Sequence, residues 1–148
     1  MAEFNQSEFD QFELNKSVAQ RFYDIIWNQK NLDALDDLLT SDYVWHEPST
    51  VSDLQGVPRA RQFLLSYFTA FPDYQVVIDD IISEDDRVAV RWTAYGTHQG
   101  PLKGIPPTGK SIKLPGISIL RIREGKCSEY WTSLDNFLLL SELGIFKK

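Results

Sequence analysis

Residues 87–110 read RVAVRWTAYGTHQGPLKGIPPTGK, and this stretch joins a strand pattern to a loop of unusual composition. Apolar and polar side chains alternate from Arg87 to His98, which is the period of a β-strand with one buried face. Gly96–Lys110 then holds four of the eight glycines and three of the seven prolines of the chain. Loops that need this much special backbone chemistry usually shape a site. We therefore expect a long strand that delivers its loop to a functional region.

The same loop contains the letters of a nucleotide-binding P-loop. Gly104–Ser111, GIPPTGKS, satisfies the pattern GxxxxGK[ST]. A P-loop directs successive backbone N–H groups at phosphates and starts a helix right after its lysine. Pro106 and Pro107 remove two of those donors, and the residues after Lys110 are β-branched and interrupted by Pro115. We therefore reject nucleotide binding.

In the second half of the chain the apolar residues recur at every second position, which predicts an antiparallel meander of four strands. Two short turns, Glu84-Asp85-Asp86 and Glu124-Gly125, separate the strands of its two hairpins. One shorter strand is expected earlier, around Tyr43–His46. The four strands of the meander are predicted at Val76–Ile82, Arg87–His98, Ile117–Arg123 and Lys126–Thr132.

In the first half of the chain the apolar residues recur every three or four positions, the period of an amphipathic helix. Leu14 begins one such stripe, and Asn31 is suited to cap a second, short helix. Pro58 is suited to the first turn of a third helix, where its missing N–H costs nothing. A last helix is expected over Phe137–Leu143 and should end at Gly144.

Helices, then a meander, then a terminal helix define an α+β fold. Long twisted strands with amphipathic helices across one face would give a cone-shaped curved antiparallel sheet, closed by the N-terminal helices and open at one mouth. Such a cone is a natural pocket for a hydrophobic small molecule. We expect a single domain over residues 14–148, and residues 1–13 are either a tail or a short docking segment.

The composition excludes several classes of function. The 148-residue chain has a net charge of −6 and no cluster of Lys or Arg, which argues against nucleic acid and anionic membranes as partners. A single cysteine, Cys127, excludes an internal disulfide, and two histidines without spaced carboxylates give no metal site. The acidic N-terminus and the lack of a run of transmembrane length predict a cytoplasmic protein.

Asp135 is the sharpest catalytic candidate. It stands at a strand–helix junction, and alternation through the last strand places Glu129, Trp131 and Asp135 on one face. A carboxylate held in an apolar pocket can exchange protons near neutral pH. The same residue is equally suited to cap the final helix. The sequence pattern does not choose between these two roles.

The two histidines are the next candidates. His98 precedes the glycine-rich loop, where it is suited either to hydrogen-bond a substrate carbonyl or to stabilise its own loop. His46 ends the short strand, where it is a candidate to line the mouth of the pocket and bind substrate, but a structural role is the interpretation that we favour. Neither has a sequence neighbour that would decide between the two roles.

Four residues within the predicted strands are candidates for substrate binding. Arg91 and Glu129 are charges in otherwise core-like strands, so we expect them to pair with each other or with solvent, and substrate anchoring by Arg91 is a weaker alternative. Trp92 and Trp131 can stack on a planar ligand, although aromatic residues at strand spacing more often belong to the core.

A set of short motifs is spread over most of the chain from Leu14 onward. They are Phe71-Pro72-Asp73, Asp86-Arg87-Val88 with Arg91-Trp92, Gly96-Thr97-His98 with Gly100, Gly104–Lys110, Glu129-x-Trp131 with Asp135, His46-x-Pro48 and Leu143-Gly144. Together these motifs resemble the SnoaL-like polyketide cyclases and their ester cyclase relatives. The resemblance implies the nuclear transport factor 2-like fold of that family, a curved sheet with helices that close a cone.

The resemblance also implies a reaction, the intramolecular aldol condensation of a polyketide-like carbonyl compound without metal or cofactor. The acid/base aspartate of the family lies in the motif matched by Trp131 and Asp135, so that role carries over to Asp135. A methylene between two carbonyls gives a delocalised enolate, for which one well-placed carboxylate suffices as base. Asp135 or His98 would then protonate the new alkoxide, and an enclosed cone would bring the ends of the substrate together.

Other functions stay open, because a fold does not fix a function. Epoxide hydrolysis would need two carboxylates bridged by an arginine around a water, for which Arg91, Glu129 and Asp135 are available. An isomerase would need a base with a tyrosine donor, such as Tyr95 or Tyr130. A ligand carrier needs no catalytic group, and a dimerisation module would use the outer face of the sheet and have a plugged cone. We expect the protein to be a homodimer.

Overall fold

The computed structural model describes residues 5–146, which form four α-helices and one six-stranded sheet. The α-helices are α1 (Gln6–Phe22), α2 (Leu35–Leu38), α3 (Val57–Ala70) and α4 (Asn136–Glu142). The strands are β1 (Leu39–His46), β2 (Leu54–Gln55), β3 (Gln75–Glu84), β4 (Arg87–Thr97), β5 (Ser111–Arg123) and β6 (Lys126–Leu134). A π-helical segment, Tyr23–Asn28, continues α1, and a 3-10 helix, Leu32–Ala34, precedes α2.

The strands lie in the order β2-β1-β6-β5-β4-β3. The predicted antiparallel meander is confirmed as β3 to β6. The strand predicted around Tyr43–His46 is also confirmed, and as β1 it pairs in parallel with β6. The sheet is open, because β2 and β3 lie at its two edges and do not pair with each other. The α+β class and the curved sheet expected from the sequence are both present.

One face of the sheet, called the inner face below, carries the core. Val88, Val90, Trp92 and Ala94 of β4 are buried on it, as the alternation predicted. The π-helical segment and helices α1 and α3 contribute their buried side chains to the same core. The opposite surface of the sheet, called the outer face, is exposed or half-buried. Helices and inner face together enclose an aromatic interior.

The predicted start of α3 is confirmed. The helix begins at Val57 with Pro58 in its first turn, and it ends at Ala70. Asn31 occupies the N-cap position of the 3-10 helix, as predicted. Its side chain makes no capping hydrogen bond, however, so it does not stabilise the start of this helix in the expected way. No helix within residues 5–146 is long and apolar enough to cross a membrane.

The N-terminal segment for which the sequence offered a tail or a docking helix contains the start of α1. The side chain of Asn5 caps this helix by accepting hydrogen bonds from the backbone N–H groups of Ser7 and Glu8. The helix then runs through the predicted stripe at Leu14 without a break. Residues 1–4 and 147–148 lie outside the described part of the chain. The expected domain boundary before residue 14 therefore falls inside a continuous helix.

Strand β5 begins earlier than the sequence predicted. Its expected start at Ile117 is wrong, because β5 starts at Ser111 and runs through Pro115 and Gly116. Both residue types are disfavoured inside strands, which is why the pattern did not predict the first six residues. A strand rather than a helix follows Lys110, so this loop does not lead into the helix start that a P-loop requires.

Both predicted turns are confirmed. Glu124 and Gly125 have φ angles of 53° and 76°, and they connect the paired residues Arg123 and Lys126. Two central residues with positive φ are the signature of a tight two-residue hairpin. Asp85 has a φ of 52° in the acidic turn between β3 and β4. These turns fix the register that places each strand residue on the inner or the outer face.

Candidate functional site

The interior of the cone is filled largely by aromatic side chains. The space that they leave is a cavity of about 20 Å³, enough for about one water molecule. Pockets that enclose a drug-sized ligand have volumes of roughly 300–1,000 Å³. The inner cavity therefore does not hold a folded polyketide in this conformation. Its aromatic wall consists of Tyr23, Trp27, Trp45, Phe63, Tyr67, Tyr74, Trp92 and Tyr130.

The π-helical segment supplies two of these rings. Tyr23, Ile26 and Trp27 are buried, and their i, i+3, i+4 spacing places them on one face of the segment. The wider π-helical turn changes the direction of the side chains that follow it, and such segments are rare and occur frequently at functional sites. The π-helical segment therefore lies beside the inner cavity, which Tyr23 and Trp27 line.

Glu47 is the only carboxylate among the residues that line this cavity, and it is only 7% exposed. Its Oε2 accepts a hydrogen bond of 2.9 Å from the hydroxyl of Thr132, and its Oε1 accepts one of 3.1 Å from the backbone N–H of Ser49. The indole of Trp45 donates to the Thr132 oxygen at 3.0 Å. Because an indole N–H can only donate, the Thr132 hydrogen is directed to Glu47. The carboxylate is thus held in place at the edge of the cavity.

The negative charge of Glu47 acts on a neighbouring phenol. Burial and, to a smaller extent, the charge of Glu47 raise the pKa of Tyr67 well above its ordinary value. Both effects disfavour the phenolate. The Tyr67 hydroxyl therefore stays protonated at physiological pH and is available as a hydrogen-bond or proton donor beside the carboxylate.

A second hydrogen-bond chain lies deeper in the cone. Trp92 donates its indole N–H to the hydroxyl of Ser118 at 2.8 Å, and Ser118 donates to the hydroxyl of Tyr130 at 3.2 Å. The hydroxyls of Tyr130 and Tyr23 lie 2.9 Å apart. Burial raises the pKa of both tyrosines well above the ordinary value, so both stay neutral. Trp92, predicted as a stacking surface for a ligand, lines the inner cavity and is held by this chain.

The glycine-rich loop closes a second pocket of about 270 Å³ against α4 and the turn after β1. We call it the mouth pocket. The ring of Tyr67 lines both this pocket and the inner cavity, so it stands between them. The backbone N–H groups of Gln99 and Gly100 both donate to the carbonyl of Ala70, which fastens the loop to the end of α3. The pocket is lined by Ser49, Tyr67, Leu102, Lys103, Ile105, Asn136, Leu139 and Leu140.

His98 is fully buried and holds this loop together. Its backbone N–H donates to the carbonyl of Lys110 at 2.9 Å, and its carbonyl accepts from Gly109 at 2.8 Å. The ring nitrogen Nδ1 accepts from the backbone N–H of Thr108 at 3.2 Å, and the ring packs against Phe71. These contacts match the loop-stabilising role offered for this histidine. A catalytic role for His98 stays a prediction.

Asp135 caps the final helix. It is exposed, and its Oδ1 accepts a hydrogen bond of 2.9 Å from the backbone N–H of Leu138. It borders a shallow depression together with Arg91 and Ser133, whereas the inner cavity is lined by other residues. These contacts match the helix-cap alternative for this residue. Its acid/base role stays a prediction.

The structure brings three of the predicted site residues together on the outer face: His46, Glu129 and Trp131. The imidazole Nε2 of His46 lies 2.6 Å from Oε2 of Glu129, and Nδ1 lies 3.0 Å from Oδ2 of Asp53. The imidazole stacks on Trp131 with ring centroids 5.1 Å apart. Arg121 lies over the Trp131 ring and pairs with Glu129 at 3.6 Å. The two predicted tryptophans, Trp92 and Trp131, are therefore on opposite faces of the sheet.

Arg91 is not part of this cluster. The pairing of Arg91 with Glu129 that the sequence offered is not formed, because Arg91 pairs with Asp80 at 2.7 Å. The reason lies in the register: Arg91 of β4 is opposite Ile117 of β5, whereas Glu129 of β6 is opposite Arg121, which lies four positions further along β5. An ion pair with solvent exposure on both sides contributes little stability.

We expect substitution of His46 by glutamine to destabilise the protein more at pH 6 than at pH 9. Burial opposes charging of the ring, but the hydrogen bonds with Glu129 and Asp53 outweigh it and raise the pKa of His46. A raised folded-state pKa stabilises the protein below the ordinary value of about 6.5, and this gain is lost as the pH rises through the folded-state pKa. For a half-exposed cluster the gain is at most about 1 kcal/mol. Urea unfolding of both proteins at the two pH values measures it, and an equal loss at both would contradict the prediction.

Sequence reasoning missed Glu47 and its partner Thr132. The signal for Glu47 is present, since Tyr43 and Trp45 are the inward positions of β1 and Glu47 is the next residue in that series. Its partner could not be found in this way. Thr132 lies on β6, and the parallel pairing of β1 with β6 joins residues more than 80 positions apart.

No three side chains of His, Cys, Asp or Glu converge in residues 5–146 so as to hold a metal ion. The features that remain are an aromatic cone, one buried carboxylate at its edge and a pocket at its mouth. They belong to an α+β domain with the nuclear transport factor 2-like fold. The chain belongs to the SnoaL-like polyketide cyclase family, whose model matches residues 17–143.

Solved structures of similar proteins agree with this assignment. IdmH from Streptomyces antibioticus, a candidate polyketide cyclase, is 29% identical with a TM-score of 0.77 over 88% of this chain and 98% of its own. AclR from Streptomyces galilaeus, a candidate hydroxylase, is 27% identical with a TM-score of 0.80 over 93% of this chain and 85% of its own. A candidate SnoaL-like cyclase from Jannaschia has a TM-score of 0.85 over 99% of this chain and 100% of its own at 21% identity, which shows the fold alone. No curated protein sequence matches the chain.

Proposed function

We propose that this protein is a cofactor-independent enzyme that carries out acid/base chemistry on a small, mainly apolar carbonyl compound. The reaction class is the intramolecular aldol condensation suggested by the family. One observation carries the proposal: Glu47 is a buried carboxylate with its two oxygens positioned by Thr132 and Ser49 beside an apolar cavity. A base in a dry, apolar site acts on a weakly acidic C–H group more effectively than one in water.

The apolar body of the ligand is expected to occupy the mouth pocket, against Leu102, Leu139 and Leu140. Its carbonyl-bearing end would then reach the inner cavity when the ring of Tyr67, which stands between the two spaces, turns aside. Such a rotation of one aromatic side chain is a small movement compared with a loop closure. The combined space suits a compact tricarbonyl compound better than a long polyketide.

The proposed chemistry is balanced without a further reactant. Glu47 takes a proton from the carbon between two carbonyl groups, and the electron pair of that C–H bond enters the enolate. The enolate carbon attacks a third carbonyl carbon of the same molecule, one that does not flank it. A C–C bond forms, the π bond of that carbonyl breaks, and its oxygen becomes an alkoxide. The alkoxide takes up a proton from Glu47 directly or through the neutral hydroxyl of Tyr67, and the carboxylate is restored.

We expect Glu47→Gln to slow exchange of the substrate proton by about 10²–10⁴-fold, the usual contribution of a general base. The measurement is enzyme-dependent deuterium exchange at the methylene of a small β-keto ester in D₂O, followed by NMR. Glutamine keeps the shape of the side chain and, through its single carbonyl oxygen, one of the two accepted hydrogen bonds, but it is no base. Glu124→Gln, an exposed carboxylate in the β5–β6 turn, serves as the control and should exchange at the rate of the unaltered protein.

Asp135→Asn tests the competing assignment that the family motif suggests. If Asp135→Asn abolishes exchange and Glu47→Gln does not, the base is Asp135 and the site proposed for Glu47 is wrong. Binding of the β-keto ester with no exchange in any of the proteins would contradict the enzyme proposal.

A ligand carrier or an interaction module is the second candidate, and one observation favours it. The eight aromatic side chains leave a cavity of only about 20 Å³, so the cone is nearly plugged at rest. A carrier would bind its ligand in the mouth pocket alone, and Glu47→Gln would not change its affinity. Calorimetric titration of the unaltered protein and the variant with the same β-keto ester separates the candidates.

We also propose that the protein is a homodimer that pairs through the outer face. Ile82, Ala89, Ile119 and Trp131 are opposite one another on four neighbouring strands, and Ile82 is 66% and Ile119 37% exposed. A continuous apolar row of this kind suits an interface in which both copies present the same surface. We expect light scattering to give twice the 17.1 kDa mass of the chain. Ile119→Lys should halve that mass, whereas Val51→Lys, also exposed but on a loop, should not.

A further inference from the structure

Trp27 carries a buried polar group that the contacts described so far do not explain. The residue is 6% exposed, and its indole Nε1 is buried without a hydrogen-bond partner in residues 5–146. The two other tryptophans of the cone each have a partner, since Trp45 donates to Thr132 and Trp92 to Ser118. Burying a donor without an acceptor is unfavourable, so an acceptor for the Trp27 N–H is to be expected.

The inner cavity is the candidate place for such an acceptor, because Trp27 is among the residues that line it. Trp27 and Glu47 both line it, which puts a donor and a carboxylate on one cavity. About 20 Å³ is above the minimum needed for a water molecule, and a buried water needs two to four polar partners. The hydroxyl-bearing rings of Tyr67 and Tyr74 are further partners on the same wall. Trp27 also lies in the π-helical segment, and such segments occur frequently at functional sites, which supports a binding role for the inner cavity.

The aromatic neighbours offer one competing explanation. Trp27 meets the rings of Trp45, Tyr67 and Phe68 edge to face, with interplanar angles of 86° to 88°. An N–H group directed at the face of a ring makes a weak hydrogen bond. In that case the Trp27 donor would need no oxygen, and the cavity would stay without a function in binding.

We propose that the inner cavity is a binding site for a single hydrogen-bond-accepting oxygen atom, held by the indole N–H of Trp27. In the resting protein this oxygen is a water that also donates to the carboxylate of Glu47. When a carbonyl compound binds, its carbonyl oxygen displaces the water and accepts from Trp27. The second step rests on the proposed function, whereas the first does not.

The consequence for the reaction is a defined role for Trp27. When Glu47 removes the proton, negative charge develops on the carbonyl oxygen of the enolate. A fixed N–H donor in an apolar site stabilises that charge without reorganising. Glu47 and Trp27 would then act on the two ends of the enolate system, one as base and the other as donor to the oxygen.

The test uses the full chain labelled with ¹⁵N at tryptophan, which gives one indole signal for each of four tryptophans. Trp27→Phe assigns the relevant signal, and Trp131→Phe on the outer face is the matched control. We expect a nuclear Overhauser contact between the Trp27 indole proton and a long-lived water. Titration with the β-keto ester should remove that contact and shift the Trp27 indole proton downfield, while the signals of Trp45 and Trp92 stay in place.

The other outcomes are equally distinct. A Trp27 indole proton with no water contact and an upfield, ring-shifted position would overturn the proposal in favour of the ring-face contact. A water contact that the β-keto ester leaves unchanged would overturn the carbonyl step and leave the water site standing, whatever the Glu47→Gln exchange experiment shows. If Trp27→Phe does not fold, a high-resolution crystal structure of the unaltered protein decides, since an oxygen within about 3.2 Å of Nε1 is required.

Discussion

Gly116→Ala is expected to lower the free energy of unfolding by about 3 kcal/mol, at the upper end of the cost of overpacking a core. Gly116 lies on the inner face of β5 directly opposite Trp92. A methyl group there would come within 2.3 Å of two carbons of the indole ring. The ring cannot easily turn away, because its N–H donates to Ser118 and the side chain is buried. Either the indole loses that hydrogen bond or two central strands move apart.

Urea unfolding monitored by fluorescence measures the loss. Pro115→Ala is the control, because the side chain of Pro115 is exposed on the outer face of the same strand, and we expect a change of less than about 0.5 kcal/mol there. Combining Gly116→Ala with Trp92→Leu should cost clearly less than the sum of the two single changes, since the clash disappears with the indole. Additive losses would mean that the contact between Gly116 and Trp92 is not the cause.

Gly100→Ala is expected to cost about 2–3 kcal/mol for a different reason. A Cβ at this position would lie 2.1 Å from the carbonyl oxygen of Thr69, which belongs to the backbone of α3 and cannot rotate out of the way. The loop would have to lift from the helix, and the hydrogen bonds of Gln99 and Gly100 with Ala70 would lengthen or break. The structural change should spread to Leu102, which lines the mouth pocket.

Two measurements check this prediction. Urea unfolding should show the loss of stability for Gly100→Ala and almost none for the exposed neighbour variant Gln99→Ala. Hydrogen exchange should show faster exchange of the backbone amides of residues 99–110, because the loop is fastened to α3 through these contacts. Unchanged protection of the loop in a destabilised Gly100→Ala protein would refute the explanation.

Local sequence signals predicted those parts of the fold that depend on neighbouring residues. Pro58 marked the start of α3, and alternation along β4 placed Trp92 and Arg91 on opposite faces of the strand. The start of β5 was missed, because a glycine usually indicates a turn. Gly116 instead lies within the strand, where the Trp92 ring leaves no room for a Cβ atom. The parallel pairing of β1 with β6 was also missed, since it depends on a contact that no local pattern records.

For the candidate site, the sequence could indicate which residues were candidates, but not which partners they contact or which face of the sheet they lie on. The sequence selected Asp135 and His46 as candidates by residue type and position, and their partners in the structure are a helix N-terminus and two carboxylates. Which face of the sheet forms the cone is a property of the whole fold, so alternation alone could not place Trp131. Glu47 escaped notice because it follows the last residue of β1 and no long strand pattern surrounds it.

The parallel contact between β1 and β6 also determines when the side chain of Glu47 can reach its folded position during synthesis of the chain. The hydrogen bonds from Trp45 to Thr132 and from Thr132 to Glu47 span 87 and 85 residues. Contacts of such high sequence separation slow folding, because a large loop must close before they form. A ribosome-bound chain that ends before β6 would have β1 without its neighbour and Glu47 without its donor. The carboxylate thus acquires its fixed geometry only after almost the entire domain has emerged from the ribosome.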